Sequence, residues 1–189
     1  MKFLILSQYY PPETGAPQNR LSSLAENLVA NGHYVEVLTA MPNYPINKVF
    51  DKYKGKVFCS EKINDITVHR SWIYISNNRG IISRLLNYFS FLLTSIIKGL
   101  FLKSFDYIYC ESPPLFLSYS AFTIAWFKKS KVIFNVSDLW PESAEKLNIV
   151  TNKFLLKLAS RLESKTYKKS FLVTGQTQGI IESISSRFP

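Results

Sequence analysis

Strand, helix and strand crowd into the first forty residues, and this constrains the fold more than any other feature of the chain. An apolar burst covers residues 2–7. Leu21, Leu24, Ala25, Leu28 and Val29 then recur at i, i+3, i+4, i+7 and i+8, the apolar stripe of an amphipathic helix. Pro17 suits the first turn of that helix and Gly32 its stop. A second strand is expected at residues 34–39. Two strands joined through a helix run parallel, because the crossover returns the chain to the same end of the sheet.

The rest of the chain continues the alternation. Residues 40–56, rich in Pro, Asn and Tyr, read as a loop, and residues 66–72 as a third strand. A long helical segment follows, then a fourth strand at 105–112. Pro113 and Pro114 end that strand and open a helix to about Phe127. A fifth strand is expected at 131–138, a short helix from Pro141 with Ser137 or Asp138 as its cap, and a helix over Lys153–Lys169. A sixth strand at 171–177 and a helix from Gln178 to Arg187 close the pattern. The fold class is α/β, a doubly wound, Rossmann-like parallel sheet with helices on both faces, in one domain of 189 residues.

Composition bears on partners. The net charge of +10 favours an anionic partner: a nucleic acid, an acidic membrane or a phosphorylated ligand. The two cysteines, Cys59 and Cys110, give neither a disulfide framework nor a metal site, so a reduced cytoplasmic setting is expected. The N-terminus turns polar too soon for a secretory signal. Residues 81–105 are strongly apolar, but Arg84 and Lys98 leave an uncharged run shorter than the roughly 20 residues a membrane span needs. A long, largely buried helix is expected there; the sharper alternative is a helix dipping into one leaflet.

In open α/β sheets ligands bind at the carboxyl ends of the strands, and the unusual residues gather there. The first loop, SQYYPPETGAPQNR, lacks the G-x-G-x-x-G pattern, and no acid ends the second strand, Glu36 lying within it. A nicotinamide or flavin enzyme is therefore disfavoured. Gly15 and Ala16 lie just before a helix, where their amides can meet one phosphate or simply form a tight turn. In VSDLWPES, Asp138 can project into a crevice or cap a helix, and Trp140 with Pro141 forms a platform for sugar stacking. Glu142 falls in a first helical turn, where the helix dipole favours an acid whatever its role. Asn43 and Tyr44 put an amide and a phenol after the second strand. His33 and His69 read as structural or surface residues.

Lys153, Lys157, Arg161 and Lys165 repeat at i, i+4. Like charges at that spacing each cost an isolated helix roughly 0.2–0.5 kcal/mol. The stripe fits an anionic membrane surface or an ordinary solvated face. Nucleic-acid binding would account for the charge, but no helix-turn-helix, RNA-recognition or zinc signature is present.

Taken together, these residues resemble the N-terminal domain of a GT-B-fold retaining glycosyltransferase of family 4. The resemblance runs over nearly the whole chain and is densest in ILSQYYPPETGAPQNRLSSLAENLVANGHYVEVLTAMPNYP. The motifs ESPPLF and DLWPES resemble a subgroup that builds bacterial surface polysaccharides, including N-acetylfucosamine-type transferases. The resemblance implies an acceptor-binding domain at residues 1–189, with the donor-binding domain and its E-x7-E glutamates lying outside this chain. These residues alone are then expected not to turn over. It implies a nucleotide-sugar donor, an undecaprenyl-diphosphate-linked saccharide acceptor, no cofactor and no metal. It further implies capsule or O-antigen synthesis at the inner face of the bacterial cytoplasmic membrane.

The same resemblance places Gly15, Ala16 and Pro17 on the loop facing the donor diphosphate. Asp138 falls near a position, often histidine, that contacts the transferred sugar; it could orient a sugar hydroxyl or act on the acceptor. Arg20, Asn43, Tyr44, Trp140 and Glu142 are expected on the acceptor side, and Lys153, Lys157, Arg161 and Lys165 facing the membrane. The alternative is a non-catalytic basic module that binds membranes or a partner.

Overall fold

The computed structural model describes residues 1–78, 80–142 and 152–188. Its strands are β1 (Lys2–Leu6), β2 (Tyr34–Ala40), β3 (Phe58–Ile63), β4 (Ile66–Ser71), β5 (Tyr107–Ser112), β6 (Lys131–Val136) and β7 (Leu172–Gly175). They form one sheet in the order β3-β4-β2-β1-β5-β6-β7. The helices are α1 (Ala16–Ala30), α2 (Ile81–Phe101), α3 (Leu117–Lys128), α4 (Lys153–Lys169) and α5 (Gln178–Arg187). β1 pairs in parallel with both β2 and β5. The chain therefore builds outward from β1 in one direction, then returns to build in the other. The reversal between β1 and β5 is the topological switch point, where an open α/β sheet leaves a crevice.

Alternate residues of each strand feed two cores, as a sheet covered on both faces requires. Ile5, Val35, Val37, Ile66 and Val68 face α1, meeting Leu21 and Ala25 of its stripe. Leu4, Leu6, Leu38, Ile108 and Phe134 face the other way, in a core shared with α2, α3 and α4. α2 and α3 approach closely at Gly99, where a Cβ would lie 2.3 Å from Ile124 Cδ1. Ser95 of α2 and Ser120 of α3 satisfy each other there by a buried hydrogen bond of 2.8 Å.

Three expectations need correction. The sheet is not wholly parallel: β3 pairs antiparallel with β4 at the edge, within a stretch that carried no strand assignment. The two strands join through Asn64–Asp65, both with left-handed φ (48° and 64°), the requirement of a tight two-residue hairpin turn. Second, α3 begins at Leu117, a turn later than Pro114. Third, α2 is not largely buried. Phe91, Leu92 and Ser95 are, but Ile82, Leu86, Phe89, Leu93, Ile97 and Phe101 recur on a side that faces solvent. The helix is apolar around most of its circumference, and a single packing face cannot bury it all. Among the described residues, no helix is long and apolar enough to cross a membrane. The short helix expected from Pro141 falls on residues 143–151, outside the described residues.

Candidate functional site

The loop after β1 is held from below by a buried cation. Arg70, fully buried on β4, donates from Nη2 to the Pro11 carbonyl at 2.5 Å and from Nε to Glu61 Oε1 at 2.6 Å. Its guanidinium also lies 5.0 Å from the Tyr53 ring centroid. Burial pushes the Glu61 carboxyl up, but hydrogen bonds from Lys52, Tyr53 and Arg70, with the Arg70 charge, outweigh it and hold the pKa down at about 2. Further along the loop, Glu13 Oε1 accepts from the backbone N–H groups of Asn43 (2.7 Å) and Tyr44 (2.9 Å). Burial raises the Glu13 pKa against the pull of those same donors. One carboxylate thus ties the loop after β1 to the loop after β2.

α1 starts at this crevice. Its N-cap, Gly15, has extended backbone (φ 164°) that any residue adopts. A Cβ there would meet only the end of the Gln18 side chain, Oε1 at 2.6 Å, which a rotation of that amide could relieve. Ala16 and Pro17 form the first turn, which has neither a side-chain cap nor an acid. The partial positive charge of the helix N-terminus is left without a side chain to offset it.

Across the switch point lies a cluster that sequence reading missed. Glu111, 3% exposed at the end of β5, pairs with Arg20 of α1 at 2.5 Å. Its carboxylate also accepts from Ser137 Oγ and, at 2.9 Å, from Asn135 Nδ2. Arg20 Nη2 reaches Ser137 Oγ at 3.0 Å, and Gln176 Nε2 reaches the same oxygen at 2.5 Å. Thr174 completes the chain by donating to Asn135 Oδ1 at 2.9 Å. The ends of β5, β6 and β7 are thereby locked to α1. The available signal was an acid in the otherwise apolar strand run YIYCE, where a buried carboxylate needs a cation. Asp138 lies exposed one residue beyond Ser137, and its carbonyl accepts from Trp140 N at 2.9 Å.

On the other side of β1 is a cavity of about 760 Å³, lined by Gln8, Tyr9, Asn43, Tyr44, Arg84 and Asn87 among others. Its volume falls in the range of ligand sites. Gln8 Nε2 donates to Asn87 Oδ1 at 2.9 Å, and Asn87 Nδ2 donates to the Tyr74 carbonyl at 2.7 Å. The Tyr9 and Tyr44 rings meet edge to face, 6.2 Å apart.

The structure therefore divides the residues singled out in sequence. Asn43 and Tyr44 line the cavity, while Arg20 joins Glu111 at the switch point. Trp140 is half-buried with its ring 6.2 Å from Phe116, and Glu142 lies 3.9 Å from Arg187 of α5. Lys153, Lys157, Arg161 and Lys165 are all exposed on α4. Beside them Phe154, Leu155 and Leu158 are exposed as well. His69 is buried between Glu36 (2.9 Å) and Ser60 (2.7 Å), and burial lowers its pKa despite the Glu36 carboxylate. Among the described residues no three His, Cys, Asp or Glu side chains form a metal-binding group.

No family model matches the chain. It is 27% identical over 140 residues to an Escherichia coli (strain K12) protein named "Putative colanic acid biosynthesis glycosyl transferase WcaI". The alignment spans 73% of this chain and 34% of that protein.

Proposed function

We propose that this chain is the acceptor-side half of a retaining, nucleotide-sugar-dependent glycosyltransferase of the N-acetylfucosamine-transferase-like kind. What carries the reading is the crevice. An uncapped helix N-terminus opens at the switch point of the mostly parallel sheet and an amide-lined cavity lies on the other side of β1, in a chain similar to a glycosyl transferase. A donor diphosphate would lie against Gly15, Ala16 and Pro17, where the helix dipole favours negative charge. The nucleotide would be held chiefly by a second domain. Asp138 would face the transferred sugar, and Arg20, Asn43, Tyr44, Trp140 and Glu142 the acceptor side. Arg20 acts there through its pair with Glu111, which fixes the guanidinium at the crevice.

The proposed acceptor is an undecaprenyl-diphosphate-linked saccharide of capsule or O-antigen synthesis, met at the cytoplasmic face of the membrane. The exposed cations of α4 would meet anionic head groups, while the exposed apolar side of α2 meets acyl chains. No cofactor or metal is required in this scheme.

The test is sugar transfer by the whole gene product across a panel of nucleotide-sugars and polyprenyl-diphosphate-linked acceptors, read by mass spectrometry. Transfer from one donor supports the reading, and no transfer across the panel overturns it. Wild-type activity in Asp138→Asn would remove Asp138 from the mechanism. Co-sedimentation with anionic vesicles at low salt tests the membrane part separately. Binding there without transfer would favour a non-catalytic membrane module.

A further inference from the structure

We propose that Ser60 is a nucleophile, made reactive by His69 and Glu36, that takes an acyl group from an activated acyl ester. The three residues form a chain of hydrogen bonds at the β3 edge of the sheet, apart from the switch point and from the cavity beside Gln8. His69 Nε2 lies 2.9 Å from Glu36 Oε2, and His69 Nδ1 lies 2.7 Å from Ser60 Oγ. A carboxylate only accepts, so the ring carries its proton on Nε2 and points it at Glu36. Nδ1 then keeps its lone pair, and the Ser60 hydroxyl donates to it. Nucleophile, base and orienting acid stand in the order that activates a serine, with the two ring nitrogens exchanged relative to the usual triad.

The sheet holds this geometry rigidly. Ser60 and His69 sit directly opposite each other in the β3–β4 ladder, and Glu36 comes from β2 on the other side of β4. With one member on each strand, no loop has to move to assemble the site. The Tyr34 hydroxyl donates to the second Glu36 oxygen, so the carboxylate is fixed through both of its oxygens. Burial lowers the His69 pKa from its ordinary 6.5 by more than Glu36 raises it, and the charge of Lys98 on α2 lowers it further. The ring is thus a neutral base at pH 7. His69 is 9% exposed and Glu36 6%, whereas Ser60 is exposed, on the outermost strand. The nucleophile is the member of the chain open to solvent.

In the step itself, Ser60 Oγ attacks the acyl carbon while its proton passes to His69 Nδ1. The bond from that carbon to the leaving oxygen or sulfur breaks, and His69 returns the proton to the departing atom. Ser60 is left as an ester, His69 is neutral again, and nothing is oxidised or reduced. During the transfer the ring is a cation, which Glu36 stabilises. The ester class follows from the surroundings. Ser60 lies on an open strand edge and does not line the cavity beside Gln8, so selection rests on reactivity rather than shape. An acyl carbon with a good leaving group meets that condition. The product is a covalent modification of this chain, and it does not depend on the glycosyltransferase reading.

The experiment treats the folded chain with p-nitrophenyl acetate and follows acetylation of each serine by peptide mapping. Ser60 is expected to react about a hundredfold faster than the exposed Ser160 and Ser185, the lower end of what a positioned base contributes. That advantage should vanish in urea. His69→Gln should bring Ser60 down to the rate of those two serines, and Glu36→Gln should slow it about tenfold or more. Ser60→Ala should remove the fast site. The wild-type rate should rise with pH through the His69 titration, below pH 6.5, and then level off, whereas a serine without a base keeps climbing. This profile needs no variant, so it decides the matter if a substitution at buried His69 or Glu36 unfolds the chain. The proposal is overturned if Ser60 reacts no faster than Ser160 and Ser185, if folded His69→Gln reacts as wild type does, or if the rate climbs without levelling off. Each of those outcomes leaves the three side chains as a structural tie between β2, β3 and β4. Sugar transfer by the whole gene product should be unchanged in Ser60→Ala, so the two readings stand or fall separately.

Discussion

The two polar regions beside β1 are built on opposite plans. At the switch point, Glu111 is surrounded: Arg20, Ser137 and Asn135 all donate to it, and the network extends to Thr174 and Gln176. In the cavity, Gln8 Nε2 donates to Asn87 Oδ1 at 2.9 Å and to the Tyr9 hydroxyl at 3.4 Å, while its own oxygen keeps an acceptor unused. A buried group whose bonds are all made inside the protein contributes to holding the structure. A buried group with capacity left over costs stability. Satisfaction is not complete in either region, for Arg20 Nε of the switch-point network is also buried without a partner.

The sharpest way to break this contrast is Glu111→Ala. It strands Asn135 and Ser137 and unpairs Arg20, whose side chain is 32% exposed and so regains some water. We expect a loss of about 2 kcal/mol, below the 3–5 kcal/mol typical of a fully buried pair, measured by urea unfolding. Glu13→Ala should come next, at about 1–2 kcal/mol, because it leaves the Asn43 and Tyr44 N–H groups without their acceptor. It should also weaken use of the proposed acceptor by the whole gene product, since both residues line the cavity. A change in stability with no change in acceptor use would show that the loop tie does not shape the cavity.

A smaller effect follows from pH. The folded pKa of Glu61, about 2, is below its ordinary value of 4.5. The folded state therefore binds this proton less readily than the unfolded chain does. The stabilisation is complete above pH 4.5 and drains away as the pH falls toward about 2. Melting temperatures across this window should show a shallower acid decline in Glu61→Gln than in wild type. The smallest stability effect is expected for Gln8→Met. It removes one orphan acceptor and leaves another on Asn87, so the change should stay within about 1 kcal/mol. A large loss of stability would place Gln8 with the scaffold instead.

Much of the fold was legible because its signals are local. The 3.6-residue stripe of α1 and the boundaries of α4 and α5 appear where periodicity places them. β3 escaped because it is an edge strand with alternate residues in solvent, so FCSEKI lacks the continuous apolar run of the central strands. Its turn, Asn64–Asp65, was the readable clue. The site was less legible than the fold. Asn43 and Tyr44 were visible as unusual residues at a strand end, and both line the cavity. Gln8 and Glu111 stood inside the quoted segments SQYYPPETGAPQNR and ESPPLF without a role of their own: a glutamine in a loop and a glutamate at the end of a strand are ordinary until their partners are known.

By itself, then, the sequence determined the alternation of strands and helices, the parallel direction of the central strands and the loops that fall at their carboxyl ends. Each follows from residue spacing within one or two elements. Only the tertiary structure decided which side chains meet and which stay unpaired. Arg20 finds Glu111 across 91 residues, and Gln8 finds Asn87 across 79. Those meetings depend on strand order and helix placement. Whether a polar group is satisfied or left open is a property of the surroundings the fold assembles, and no local pattern encodes it.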